Sequence, residues 1–214
     1  MTQNSQTDQI KMIISGALDC AEKTAWQHVT LSDIADASGL ACDLVKSLAT
    51  RKATILQWVW DDLDRQVMAE YIDLADEDAE NQEKLFEAMM CRFDLMQERR
   101  AAYLSLYHAA VKDPVFIKRF ATDAQDSMIK MVQFLKIDIA IMGTYHGSAI
   151  ALSSLYLYVL HVWSKDESAD MAQTMAALDK RLGQLGGLYH KICDFFGGRV
   201  AHPKEDVTEA MSAD

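Results

Sequence analysis

The chain has 214 residues, half of them hydrophobic and a quarter charged, so it can bury a core of ordinary composition. Only two prolines and nine glycines interrupt it, which favours long helices over a fold with many turns. The formal net charge of −11 excludes a surface that is basic throughout, such as one that coats nucleic acid without specificity.

The first sixty residues have the pattern of three helices. Apolar residues recur at spacings of three and four over residues 9–23, which predicts an amphipathic first helix. Thr30 and Asp33 form a capping-box pattern at the start of a short second helix, and Gly39 predicts its end. A third short helix is expected over residues 42–48. Two short helices joined by a tight turn are typical of a helix-turn-helix head, in which one helix enters the major groove of DNA.

The rest of the chain also has helical spacing. Pro114 separates two later helices, and an apolar helix over residues 146–163 is followed by a last helix over residues 167–188. We therefore expect an all-α fold, with an N-terminal helix-turn-helix head and a larger C-terminal helical bundle. The expected units are the head at residues 1–56, a larger helical body at residues 57–200 and a polar tail at residues 201–214.

Motifs of catalytic, metal or nucleotide-binding sites are missing from the sequence. The six histidines never form HExxH, and neither GxGxxG nor GxxxxGK[ST] occurs, so we expect no enzyme, metal site or cofactor. The four cysteines are scattered without a CxxC pair, and the N-terminus lacks the pattern of a signal peptide, so we expect a reduced, cytoplasmic protein. The most apolar stretch, residues 149–163, is shorter than the roughly 20 residues of a membrane span, so none is expected.

Two stretches of the head resemble a known family. Residues 29–40 read VTLSDIADASGL, and residues 52–56 read KATIL. Both are similar to the head of TetR-family transcriptional regulators, where a vTv-x-dIA-x-x-aGvs pattern is followed by K-e-x-L. This resemblance covers residues 10–60. It implies a TetR-like homodimer that binds double-stranded operator DNA and acts as a repressor released by a small hydrophobic ligand.

The resemblance also implies which residues contact DNA. Phosphate contacts are expected from Thr30, Ser32, Lys46, Arg51 and Lys52, and contacts at base edges from Ala41, Cys42 and Ser47. The third helix departs from the family pattern, because Lys46 and Ala49 replace a tyrosine and a phenylalanine and Asp43 adds a negative charge. A head that has kept the fold without binding DNA is the alternative.

In TetR-like proteins the later helices enclose a ligand pocket, and the last two pair with a second copy. The resemblance therefore implies that residues 57–200 form a ligand-binding and dimerisation domain. The soft and aromatic residues expected to line the pocket are Met89, Phe93, Met96, Tyr103, Tyr107, Phe120, Met131 and Phe134. The same residues also fit plain core packing. The residues expected at the dimer interface are Leu155, Val159, Trp163, Met175, Leu178 and Leu182.

The C-terminal part carries a second resemblance. Residues 162–168 read VWSKDES and residues 178–182 read LDKRL. They are similar to patterns in proteobacterial TetR-like proteins and in the ubiquinone-biosynthesis accessory family, which has a TetR-like fold, binds isoprenoid lipids and does not regulate genes. A lipid-binding accessory protein that no longer binds DNA is therefore the alternative function. Asp166 and Asp170 are expected to interact with the N-terminus of the last helix rather than to act as catalytic acids.

Overall fold

The structure is a computed structural model that describes residues 2–74, 79–137 and 145–195. Within these ranges the chain forms helices and short turns and no strand, which confirms the expected all-α fold. The polar tail expected at residues 201–214 lies outside the described residues.

The N-terminal head consists of three helices and a short turn. Its elements are α1 (Thr2–Lys23), a 3-10 turn (Trp26–His28), α2 (Leu31–Ser38) and α3 (Cys42–Leu48). Each of the three helices and the start of the next helix contribute fully buried side chains, among them Ile13, Ile34, Val45 and Ile55. This small apolar core holds α3 in place relative to α1.

Six further helices form the rest of the described structure. They are α4 (Lys52–Leu74), α5 (Asn81–Glu98), α6 (Arg100–Lys112), α7 (Pro114–Phe134), α8 (Tyr145–Trp163) and α9 (Ala172–Phe195). α4 leaves the head and packs against α5 and α7, α8 packs against α7 and α9, and α9 also contacts α5. The predicted boundary at residue 56 falls inside α4, so this helix is shared by the head and the body.

The starts of α7 and α9 show where the local sequence predicts a helix boundary correctly and where it does not. The carboxylate of Asp113 accepts hydrogen bonds from the N–H groups of Val115 (2.8 Å) and Phe116 (3.2 Å), and Pro114 occupies the first position of α7, where no N–H donor is needed. By contrast, α9 begins at Ala172 rather than at residue 167. The reason is that the chain first makes a turn in which Met171 has φ 51°, a left-handed conformation.

Candidate nucleic-acid interface and ligand-binding core

The connection between α2 and α3 is fixed by local hydrogen bonds. Thr30 Oγ1 accepts from the N–H of Asp33 (3.2 Å), and the Asp33 carboxylate accepts from the N–H of Thr30 (2.8 Å), so the predicted capping box is confirmed. Gly39 ends α2 with φ 68° and ψ 21°, a left-handed conformation that glycine adopts without strain. These two devices set the direction in which the chain enters α3.

α2 approaches α1 very closely at Gly16. A Cβ atom at position 16 would lie 2.8 Å from the backbone N of Ser38 and 3.0 Å from the carbonyl oxygen of Ile34. These distances are well below the usual separation of packed atoms, so only glycine fits here. Sequence reasoning missed this contact, because a glycine inside a helical pattern does not by itself indicate which neighbour it faces. Gly16 therefore sets the distance between α1 and the α2–α3 pair.

The outward surface of α3 and its flanking turns forms the candidate DNA surface. Of the eight predicted contact residues, six are exposed: Thr30, Ser32, Ala41, Lys46, Ser47 and Arg51. Cys42 is half-buried. Asp43 lies exposed in the first turn of α3 and Lys46 in its last turn, so the charges of this helix balance. Ala49, which stands where the family has an aromatic residue, is buried in the head core.

Lys52, the eighth predicted contact, makes contacts inside the protein. Its ammonium donates a hydrogen bond to the carbonyl oxygen of Trp26 (2.8 Å) and lies 5.0 Å from the centroid of the Trp26 ring. Burial lowers the pKa of the Lys52 ammonium, and the nearby charge of Asp33 partly opposes that shift. A phosphate contact by Lys52 would require its side chain to leave Trp26.

Polar contacts that sequence reasoning missed join the head to α6. Ser105 Oγ accepts from the N–H of Trp26 (3.0 Å) and donates to the carbonyl oxygen of Thr24 (3.3 Å). Arg99, just before α6, forms ion pairs with two acids on α1, Asp19 (2.5 Å) and Glu22 (2.7 Å). These partners are 77 to 81 residues apart in sequence, so no local pattern could indicate them.

The predicted ligand-binding residues divide among several places in the body. The Phe93 ring stacks on that of Tyr156 with centroids 5.8 Å apart. The rings of Tyr103 and Phe120 lie 5.8 Å and 5.4 Å from Trp60. Met131 and Phe134 line a cavity of about 10 Å³ between α4, α5 and α7, room for about one water molecule. Met89 and Met96 are buried in the core, and the hydroxyl of Tyr107 lies 2.7 Å from Nδ1 of His161.

A buried charged network borders this cavity. Arg92 forms an ion pair with Asp64 (Nη1 to Oδ1, 2.5 Å) and donates to the Tyr156 hydroxyl (3.1 Å). The hydroxyl of Ser127 donates to the second oxygen of Asp64 (3.0 Å). Because both charges are paired and hydrogen-bonded, they are tolerated in the core. The network joins α4, α5, α7 and α8. Sequence reasoning missed it, although an arginine inside an apolar helical stripe was the available signal.

Neither a family model nor a curated protein matches this sequence. Three solved structures are similar to it over most of its length. A TetR transcriptional regulator from Nitrosomonas europaea ATCC 19718 matches with a TM-score of 0.64 and 17% identity, over 83% of this chain and 98% of that chain. A TetR transcriptional regulator from Rhodococcus sp. RHA1 matches with a TM-score of 0.63 and 12% identity, over 85% of this chain and 97% of that chain. A TetR-family transcriptional regulator from Streptomyces coelicolor matches with a TM-score of 0.56 and 13% identity, over 88% of this chain and 89% of that chain. This chain has the TetR fold. The TetR-like architecture predicted from residues 10–60 is thereby confirmed.

Within the TetR fold, the turn between α8 and α9 is held by one buried carboxylate. Asp166 Oδ1 accepts from the N–H (3.1 Å) and hydroxyl (2.5 Å) of Ser168, and Oδ2 accepts from the N–H and hydroxyl of Thr174 (both 2.8 Å). Burial alone would raise the pKa of Asp166, but these four hydrogen bonds outweigh it and lower the pKa to about 2. Thr174 lies in the first turn of α9, which confirms the expected place of Asp166 at the start of the last helix.

The same turn is anchored to the start of α6. The guanidinium of Arg100 donates to the carbonyl oxygens of Trp163 (3.0 Å) and Asp166 (2.9 Å) and lies 4.6 Å from the centroid of the Trp163 ring. The indole N–H of Trp163 donates to Gln97 (3.1 Å). Trp163 is thus a packing and anchoring residue inside one protomer.

The six predicted dimer residues lie on the last two helices of the TetR fold but mostly face inward. The five that are buried in the protomer's own core are Leu155, Val159, Trp163, Leu178 and Leu182. Met175 is 42% exposed. Ile150 is 57% exposed, and Tyr158, also exposed, packs under the guanidinium of Arg181 (4.1 Å from the ring centroid). Among the described side chains of α8 and α9, the large apolar ones that are exposed are therefore Ile150, Tyr158 and Met175.

In residues 2–74, 79–137 and 145–195, no three histidine, cysteine, aspartate or glutamate side chains come together in a way that could hold a metal ion. In the same ranges, no helix combines the length and apolar character that crossing a membrane requires. The thiols of Cys20, Cys42 and Cys91 are free.

Proposed function

We propose that this chain is a homodimeric TetR-type transcriptional regulator that binds operator DNA through α3 and acts without catalysis. In this proposal it is a cytoplasmic repressor that a small hydrophobic ligand releases from DNA. The observation that carries the proposal is the geometry of the head. A capped α2 and the left-handed Gly39 present a short α3 on which Lys46 and Ser47 are exposed.

DNA binding is tested by fluorescence anisotropy on the full-length protein. We expect tighter binding to DNA from upstream of its own gene than to scrambled DNA at low salt. Replacing Lys46 by alanine removes one phosphate contact from each head, so the slope of log K against log salt should become shallower by roughly 0.9 for each phosphate that is no longer neutralised. Lys165→Ala, an exposed lysine in the α8–α9 turn, is the matched control and should leave the slope unchanged. Equal binding to both DNAs would contradict the proposal.

Lys52 serves as an internal comparison in the same assay. Its ammonium is bonded to the Trp26 carbonyl oxygen, so Lys52→Met should lower thermal stability. If Lys52 stays on Trp26 when DNA binds, this variant should leave the salt slope at the wild-type value. A reduced slope would instead support the phosphate contact predicted from the sequence.

We propose that dimerisation uses the exposed apolar side chains of α8 and α9. A charge at Ile150 would be buried unpaired in such an interface, so Ile150→Asp should give monomers in analytical ultracentrifugation. Ile72→Asp is the control, because Ile72 on α4 is 64% exposed and lies outside this pair of helices. A dimer that withstands Ile150→Asp as well as Ile72→Asp would argue against this interface.

The hydrophobic ligand would act by shifting a population of conformations. Two heads fit successive major grooves when they are roughly 34 Å apart, and a ligand that favours another spacing releases the DNA. The cavity beside Met131 and Phe134 holds about 10 Å³, so a larger ligand would need these side chains to move. Native mass spectrometry of the purified protein tests for such a ligand.

The second candidate is the lipid-binding accessory protein that has lost DNA binding. Two observations on the head favour it: Lys52 is engaged with Trp26, and Asp43 offsets the charge of α3. This candidate predicts an isoprenoid in an organic extract of the purified protein, together with no preference for upstream DNA. Protein without any bound apolar molecule would count against it.

A further inference from the structure

A large open cleft lies where the head meets the body. Its volume is about 630 Å³, within the range of sites that hold small organic molecules. One wall comes from the 3-10 turn and the start of α4, with Trp26, Lys52 and Leu56. The other wall comes from the end of α6 and the first turns of α7, with Lys112, Val115 and Phe116. This cleft is separate from the small cavity beside Arg92.

Apolar side chains that are open to water line much of this cleft. Val115 is 80% exposed, the highest value among the large hydrophobic side chains of the described residues. Phe116 is half-buried, and the opposite wall includes Leu56, which is itself largely buried. Covering such side chains with an apolar group removes hydrocarbon surface from water, which favours binding.

The charge in the cleft is positive although the chain is acidic overall. Lys52, Lys112 and Arg119 line it, with Asp113 as the single acid, whereas the whole chain carries −11. Asp113 is occupied by the N–H groups at the start of α7, and Arg119 by Asp123. Lys112 forms no ion pair or hydrogen bond through its side chain in the described part of the structure. One cation thus remains available beside an apolar surface.

We propose that this cleft binds a single-chain amphiphile with a carboxylate head group, such as a fatty acid. The tail lies along Leu56, Val115 and Phe116, and the carboxylate meets Lys112. A singly charged head group matches Lys112, the cation without an ion-pair or hydrogen-bond partner among the described residues that line the cleft. The occupant contacts the head and the body together, so its binding favours one orientation of the head. The proposal does not depend on DNA binding, since the ligand is measured on the protein alone.

Calorimetry with three probes tests the chemistry of the cleft. Dodecanoate, kept below its micelle concentration, should bind with a stoichiometry of one. Acetate has the charge without the tail, and dodecyltrimethylammonium has the tail with the opposite charge, so neither should bind measurably. Binding of dodecyltrimethylammonium as tight as that of dodecanoate would overturn the assignment, and so would the absence of dodecanoate binding.

Matched surface variants locate the ligand. Lys112→Glu should weaken dodecanoate binding at least about tenfold, or roughly 1.4 kcal/mol. Lys118→Glu makes the same charge change on an exposed residue of α7 outside the cleft and should change affinity less than about twofold. Val115→Ser should also weaken binding, whereas Val111→Ser, at an exposed position near the end of α6 and outside the cleft, should not. Equal effects within either pair would refute the site.

Discussion

Replacing Asp166 by asparagine should destabilise the protein at neutral pH, and the effect should shrink as the pH falls. The carboxylate accepts four hydrogen bonds from Ser168 and Thr174, two of them from backbone N–H groups. In the asparagine variant, one oxygen becomes an NH₂ group that faces these donors. A hydroxyl can rotate to accept from it, but a backbone N–H cannot, so one buried N–H loses its partner.

The magnitude follows from the pKa of Asp166. Folding lowers this pKa from 3.8 to about 2, so the ionised carboxylate stabilises the native state by roughly 2 kcal/mol at pH 7. This stability is fully present above the unfolded pKa and is lost as the pH falls through the folded pKa. About half of it should remain at pH 3.

Urea denaturation followed by far-ultraviolet circular dichroism measures these values at pH 7 and pH 3. Asp170→Asn is the control, because Asp170 is exposed and accepts a single hydrogen bond of 3.3 Å from Ala172. Its free energy of unfolding should differ from wild type by less than about 0.5 kcal/mol. A loss in Asp166→Asn that is as large at pH 3 as at pH 7 would refute the role given to the carboxylate.

Two further substitutions test the packing of the head and of the body. Gly16→Ala should lower the free energy of unfolding by about 1–2 kcal/mol in urea denaturation, because the added Cβ collides with α2. Gly183→Ala is the control: open space surrounds Gly183, so this substitution should raise the free energy of unfolding by about 0.5–1 kcal/mol. Stabilisation by both substitutions would disprove the close contact at Gly16. Arg92→Met should cost about 3–5 kcal/mol, because it leaves the buried Asp64 with only the more distant Lys130 as counter-charge (Nζ to Oδ2, 3.4 Å). Adding Asp64→Leu should restore most of the loss, and additive losses would argue against the ion pair.

The parts of the fold that could be predicted are those set by neighbouring residues. Thr30 and Asp33 are three residues apart, and the hydrogen bonds of the capping box join only these two, so the sequence is sufficient to identify it. The sequence also predicts the end of α2 at Gly39, because few residues other than glycine end a helix in the left-handed conformation. Asp166 was expected near the start of α9, although its reach to Thr174 spans a turn whose shape the local pattern did not indicate.

The rest depends on contacts between distant segments. Arg92 and Asp64 are 28 residues apart, and neither has a local pattern that names its partner. The periodic apolar residues of α8 and α9 correctly mark a buried face, but periodicity does not say whether the covering surface belongs to the same protomer or to another. Lys52 shows the same limit, since its position in a family motif does not reveal the Trp26 carbonyl oxygen that holds it.

The Ser105 bridge has a consequence for protein engineering. An engineered chimaera would join the head of one protein with the TetR fold to the body of another. A junction at residue 56 would cut α4 after its first turn and would separate Trp26 from the hydroxyl that accepts its N–H. A grafted head therefore needs a serine at the matching place of the host's sixth helix, and Arg99 with it if the acids of α1 are kept. An exchange of heads should therefore preserve the contacts of Ser105 and Arg99 as well as the length of the exchanged segment.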